Sequence, residues 1–109
     1  MKEIDVHELH QKLAEGLTII DIREPHELRS GAVPGVVNIP MMTFALNHED
    51  YVDKSKDTYI ICEHGVRSVA LIDVMQSLYD NLINVIGGTE FYSRHYPLEA
   101  YKKGEEYGH

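Results

Sequence analysis

The stretch Thr58-Tyr59-Ile60-Ile61-Cys62-Glu63-His64-Gly65-Val66-Arg67-Ser68 decides how this chain is read. Thr58 to Cys62 is a β-branched, aromatic and aliphatic run, the composition of a strand buried on both faces. Glu63, His64 and Gly65 interrupt it. From Val66 to Tyr79 the apolar residues Val69, Ala70, Ile72, Val74, Met75 and Leu78 fall at near-helical spacing, which predicts the longest helix of the chain. The segment therefore reads as strand, tight loop, helix. Loop amides and the positive end of the helix dipole meet at Cys62, a combination suited to an anion. Such surroundings favour the thiolate form of a cysteine.

Cys62 is the only cysteine. That excludes an internal disulfide and an internal resolving thiol. Any sulfur or oxidant taken up by Cys62 must pass to a thiol on another molecule. The length of 109 residues suits one domain, placed at residues 1–100, followed by a polar tail at 101–109 expected to be mobile. Net charge is −8 with neutral histidines. An acidic balance argues against a nucleic-acid partner and repels small dianions at long range. No apolar stretch approaches the roughly 20 residues of a membrane span, and Met1 to Asp5 carries no apolar leader core. The expectation is a cytoplasmic protein with no membrane partner.

Working outward from the loop, elements alternate. Ile4 lies in a short edge strand, and Asp5 with Glu8 forms a capping box for a helix bearing Val6, Leu9 and Leu13 that ends near Gly16. Leu17 to Ile22 is a buried strand. Glu24 to Ser30 is a short helix with Pro25 early in it. Val36 to Ile39 is a strand, Met41 to Leu46 one or two helical turns, and 47–57 an exposed connection with a short helix around Tyr51. Leu82 to Ile86 is a strand, followed by the turn Gly87-Gly88 and a helix from Thr89 to Arg94. Alternating strands and helices predict an α/β domain with a central, mostly parallel five-stranded sheet and helices on both faces. The reactive rim of such a sheet lies beyond the carboxyl ends of its strands, where Asp21 and Cys62 both sit.

Four ordered segments now resemble the rhodanese family. Cys62-Glu63-His64-Gly65-Val66-Arg67-Ser68 is similar to its active-site pattern C-x-x-G-x-R-S/T. Asp21-Ile22-Arg23-Glu24-Pro25-His26-Glu27-Leu28, Gly31 to Pro40, and Val85-Ile86-Gly87-Gly88 with Tyr96-Pro97-Leu98-Glu99 resemble its remaining segments. The chain departs from the pattern at Ala32, where the family usually has histidine, and at Tyr92, where it usually has tryptophan. It also carries an acidic Glu63 directly after the cysteine. A carboxylate there opposes a dianionic donor.

The resemblance implies a single-domain, rhodanese-like sulfurtransferase with Cys62 as the catalytic nucleophile. Glu63, His64, Gly65, Val66, Arg67 and Ser68 are then the substrate-binding loop. The donor is thiosulfate or a low-molecular-weight persulfide, and the acceptor is cyanide or an external thiol, small or protein-borne. No metal and no other cofactor is expected. Related dual-specificity phosphatases place five residues between cysteine and arginine. Here there are four, His64 included, and the tighter cradle suits a sulfane sulfur better than a phosphoryl ester. A sulfur carrier or interaction module with little thiosulfate activity is the alternative, and a phosphatase is the weakest reading. Arg67 either contacts the donor or closes the loop onto the helix, or else is a structural ion-pair or helix-surface arginine. Ser68 either bonds the thiolate or caps the helix. His64 either lends charge to the thiolate or is an exposed loop residue. Arg23 is expected to pair with Glu27 across one helical turn, with Asp21 anchoring backbone N–H groups. His7 and His10 share a helix face and read as surface residues.

Overall fold

The computed structural model describes residues 1–102; the tail from 103 to 109, expected to be mobile, lies outside them. The strands are β1 (Lys2–Ile4), β2 (Thr18–Asp21), β3 (Val36–Asn38), β4 (Thr58–Ile61) and β5 (Leu82–Val85). They form one sheet in the order β1-β5-β4-β2-β3. Each neighbouring pair is parallel, in the registers Ile4↔Val85, Ile60↔Asn84, Ile20↔Ile60 and Ile20↔Val37. The helices are α1 (Val6–Lys12), α2 (Met41–Leu46), α3 (Val66–Met75) and α4 (Gly88–Ser93). This is the α/β architecture expected from the alternation of elements.

Strand alternation sorts the core into two layers. Ile19, Tyr59, Ile61, Ile83 and Val85 point to one face, where Val6 and Leu9 of α1 and Tyr92 of α4 cover them. Ile20, Ile60 and Leu82 point to the other, covered by Phe44 of α2 and by Leu71, Ile72 and Met75 of α3. Every residue of β4 is buried, as the continuous apolar run requires of the central strand. Each fully buried isoleucine there contributes about 1.5–3 kcal/mol of transfer free energy.

Local structure sharpens some expectations and changes others. The short helix expected over Glu24–Ser30 is present as a 3-10 helix over Pro25–Ser30, with the Glu27 carboxylate accepting the Glu24 N–H at 2.8 Å. Helix α3 stops at Met75, four residues early, and buries Ser68, Leu71, Ile72 and Met75. Val69, Val74 and Leu78, read as part of its apolar side, are exposed. Tyr101, assigned to the mobile tail, is held in place: its hydroxyl accepts the Asn38 N–H at 2.9 Å. The Asp5 cap of α1 is present, with Oδ1 accepting the Glu8 N–H at 2.8 Å. His7 and His10 are exposed, as expected of surface residues, and meet the hydroxyls of Tyr96 and Tyr92 on the α4 side, each at 2.7 Å. Among the described residues no helix is long and apolar enough to cross a membrane.

Candidate functional site

Cys62 follows the last residue of β4 and is only 1 % exposed. The loop after it curls back so that two amides reach the sulfur: Gly65 N–H at 3.1 Å and Ser68 N–H at 3.4 Å. Gly65 makes this curl possible. It lies in the left-handed region at φ 86° and caps α3, a conformation that a side chain resists. The Ser68 hydroxyl lies 3.4 Å from Sγ and donates to Asn84 Oδ1 at 2.6 Å. Asn84 Nδ2 in turn donates to Glu3 Oε2 at 2.9 Å. Helix α3 aims its N-terminus at the thiol, so its dipole adds to the two amides.

The loop is pinned from below by α4. Thr89 N–H donates to the Cys62 carbonyl at 2.9 Å and Glu90 N–H to the Glu63 carbonyl at 3.0 Å. Only glycine fits at Gly88, at the start of this contact. A Cβ there would overlap the Cys62 carbonyl oxygen and come within 2.6 Å of the Glu63 carbonyl oxygen.

Two ion pairs tie the loop to the segment after β2. Arg23 is fully buried and grips both Asp21 oxygens through Nε and Nη2, at 2.8 to 3.1 Å. Its Nη1 donates to Glu63 Oε1 at 3.1 Å. Burial alone would lower the Arg23 guanidinium; bonding to Asp21, then the charge of Glu63, outweighs it and holds the group above its ordinary value. Arg67 forms a two-pronged pair with Glu27, both contacts 2.7 Å. The hydrogen bonds from Arg67 draw the Glu27 carboxyl down from 4.5 to about 2. The expected local pair between Arg23 and the Glu27 carboxylate is therefore absent. Arg23 takes only the Glu27 backbone carbonyl, at 3.2 Å, because burial between two carboxylates binds it more strongly than an exposed helical turn would. Asp21 does accept the Arg23 N–H, at 3.1 Å, but its main partner is the Arg23 side chain. Asn38 Nδ2 fixes this turn by donating to the carbonyls of Asp21 and Arg23 at 2.9 and 2.8 Å.

The seven loop residues thus take distinct positions. Cys62, Gly65 and Ser68 form the sulfur pocket. Glu63 leans to Arg23 and Arg67 to Glu27. His64 and Val66 are exposed. Three carboxylates (Asp21, Glu27, Glu63) against two guanidiniums (Arg23, Arg67) leave the rim with one net negative charge before any thiolate forms. Three participants escaped the sequence reading as site residues: Glu27, Glu3 and Asn84. Asn84 carried a usable signal, a lone polar residue within the apolar strand Leu82–Val85. Among the described residues no cluster of His, Cys, Asp and Glu is suited to a metal ion.

Comparison with known proteins agrees with this geometry. The family model for the rhodanese-like domain matches residues 5–95. A protein of Allochromatium vinosum named sulfurtransferase is 34 % identical over 98 residues, covering 87 % of this chain and 91 % of that protein. The rhodanese-like/PpiC domain-containing protein 12 of Arabidopsis thaliana, chloroplastic, is 32 % identical over 102 residues, covering 85 % of this chain and 34 % of its own length. The chain therefore spans about a third of that longer relative. A crystal structure of a rhodanese-related protein from Thermoplasma volcanium superposes with a TM-score of 0.82 at 27 % identity, covering 93 % of this chain and all of that one. With a strand-end cysteine cradled by loop amides, a matched domain spanning most of its length and relatives of the same size, this chain belongs to the rhodanese-like domain family.

Proposed function

We propose that the protein is a sulfurtransferase that carries a sulfane sulfur on Cys62. The observation that carries this reading is the pair of amides, Gly65 and Ser68, directed at a sulfur beside the α3 N-terminus. In the first step the Cys62 thiolate attacks the outer sulfur of a donor. The donor S–S bond breaks, and sulfite or a thiolate leaves with the bonding pair. Cys62 is left as a persulfide, whose charge the loop amides and helix dipole offset. In the second step an external thiolate or cyanide attacks the outer sulfur and releases the Cys62 thiolate. With no second cysteine in the chain, the persulfide has no internal thiol to convert it to a disulfide.

Thiosulfate and low-molecular-weight persulfides are both chemically competent donors. The rim favours the persulfide, because both guanidiniums are already spent on carboxylates and a dianion gains no free cation. The same observation supports the second reading, a sulfur carrier with little thiosulfate turnover. Phosphoryl transfer is disfavoured by the short loop. Intact-mass measurement after exposure to thiosulfate, polysulfide and an alkyl persulfide tests the proposal. One added sulfur atom is expected on the wild type and none on Cys62→Ser. Equal uptake by both proteins refutes it. Subsequent release to a thiol at a catalytic rate separates an enzyme from a carrier.

A further inference from the structure

Ser68 has one hydroxyl proton and two neighbours that could take it, the Cys62 sulfur and Asn84. The chain of bonds beyond Asn84 decides between them. Glu3, on the edge strand β1, presents a carboxylate oxygen as acceptor. Asn84 sits opposite Glu3 in the β1–β5 register and opposite Ile60 in the β4–β5 register. It must therefore turn its NH2 group toward Glu3, at 2.9 Å. That leaves Oδ1 facing Ser68 at 2.6 Å, and a carbonyl oxygen can only accept. The Ser68 proton is committed to Asn84. What Oγ presents to Sγ, 3.4 Å away, is a lone pair. A lone pair accepts from S–H but offers nothing to a thiolate.

We infer that Asn84 and Glu3 are positioning residues: they fix the direction of the Ser68 hydroxyl, and so hold Cys62 toward its protonated form between turnovers. The backbone amides of Gly65 and Ser68 pull the other way, toward the thiolate. An exposed carboxylate on an edge strand thus sets the resting reactivity of a buried thiol through two side chains. The benefit is chemical restraint, since the thiolate is the form that oxidants attack. The other charged groups packed around the cysteine come from every neighbouring element. They are Arg67 on α3 paired with Glu27, Glu63 and His64 on the loop, the Asp21–Arg23 pair after β2, and Glu90 on α4 paired with Arg94. The substitutions below leave all of them in place.

The test is the pH profile of Cys62 alkylation by iodoacetamide, followed by mass. Asn84→Leu removes the acceptor while keeping the branched shape of the side chain, and Glu3→Ala lets the Asn84 amide turn over. Either frees the Ser68 hydroxyl to donate to the thiolate. The midpoint of the profile is expected to fall by about one pH unit, a roughly tenfold gain in the thiolate-to-thiol ratio. Glu3→Ala also deletes a negative charge, so both substitutions are repeated in a Ser68→Ala background, where Asn84→Leu should shift nothing and Glu3→Ala only by the small contribution of its charge. A shift that persists undiminished without the hydroxyl overturns the inference. So does an unchanged midpoint in Glu3→Ala, which lies at an exposed position and decides the matter even where Asn84→Leu does not fold. The readout is alkylation alone, so it is separate from the sulfurtransferase reading.

Discussion

Replacing Glu27 by glutamine should cost stability at neutral pH and almost none in acid. The Glu27 carboxyl lies at about 2 in the fold, against 4.5 ordinarily, chiefly through its bonds to Arg67. At about 1.4 kcal/mol per pH unit, that depression corresponds to about 3 kcal/mol. The pair is only partly shielded, with the Glu27 side chain 23 % and the Arg67 side chain 36 % exposed. Solvent screening brings the figure down to about 2 kcal/mol. Because the folded-state value is depressed, the stabilisation is complete above the unfolded value of 4.5 and is lost as pH falls toward 2. By pH 3.5 roughly half of it should remain.

Urea melts of wild type and Glu27→Gln across this range measure the difference directly. Other carboxylates titrate in both proteins and cancel in the difference. The expected gap is about 2 kcal/mol at neutral pH, equivalent to roughly 8 °C in Tm for a domain of this size. It should narrow continuously below pH 4.5. Arg67→Met should produce a similar loss, and the double variant should be less than additive by about 1–2 kcal/mol. A gap that stays constant down to pH 3 would refute the ion-pair origin and assign the loss to packing. A gap near zero at neutral pH would mean that Arg67 is not held by Glu27 in solution.

Four further substitutions probe the loop and its rim. Gly88→Ala forces a Cβ into the carbonyls of Cys62 and Glu63 at φ 65°, so a loss of about 2–4 kcal/mol is expected; a neutral effect in thermal melts would mean that α4 does not clamp the loop as described. Asn38→Leu strips the donor from the Asp21 and Arg23 carbonyls and should destabilise by about 1–3 kcal/mol, which chemical denaturation measures. Glu63→Gln removes one negative charge while keeping an acceptor for Arg23. It should raise kcat/KM for thiosulfate about three- to tenfold and raise it less for a singly charged alkyl persulfide; equal gains for both donors would dissociate Glu63 from donor charge. Glu63→Lys is the wrong probe of the same idea. It sets a second cation against the buried Arg23, and should lose about 1–3 kcal/mol of stability.

What was legible in the sequence is what short range dictates. The β4–loop–α3 segment, the Asp5 cap and the parallel sheet follow from residue type and spacing within windows of about a dozen positions. The buried face of α3 followed only in part: Ile72 and Met75 are buried as read, whereas Val69, Val74 and Leu78 are not, because apolar residues lie on two sides of the segment. Val69, Val74 and Leu78 compete with Leu71, Ile72 and Met75, and only contact with β4 and β5 selects the second set. The ion pairs failed for a related reason. Glu27 stands four residues from Arg23, the spacing of a helical pair, yet its carboxylate meets Arg67, forty residues on. Arg23 in turn meets Glu63 across the same interval. The two acidic–basic partnerships are crossed relative to the local reading because β2 and β4 are neighbours in the sheet, which brings the residues after each strand onto one rim. That crossing also alters the meaning of Glu63. Read alone it is a bare carboxylate beside the nucleophile; in the fold it is the outer half of a pair whose inner half is a fully buried arginine. Its influence on a donor is therefore screened charge, not an open repulsive site. Donor selection at this rim then rests on how completely Glu27 and Glu63 together occupy the two guanidiniums.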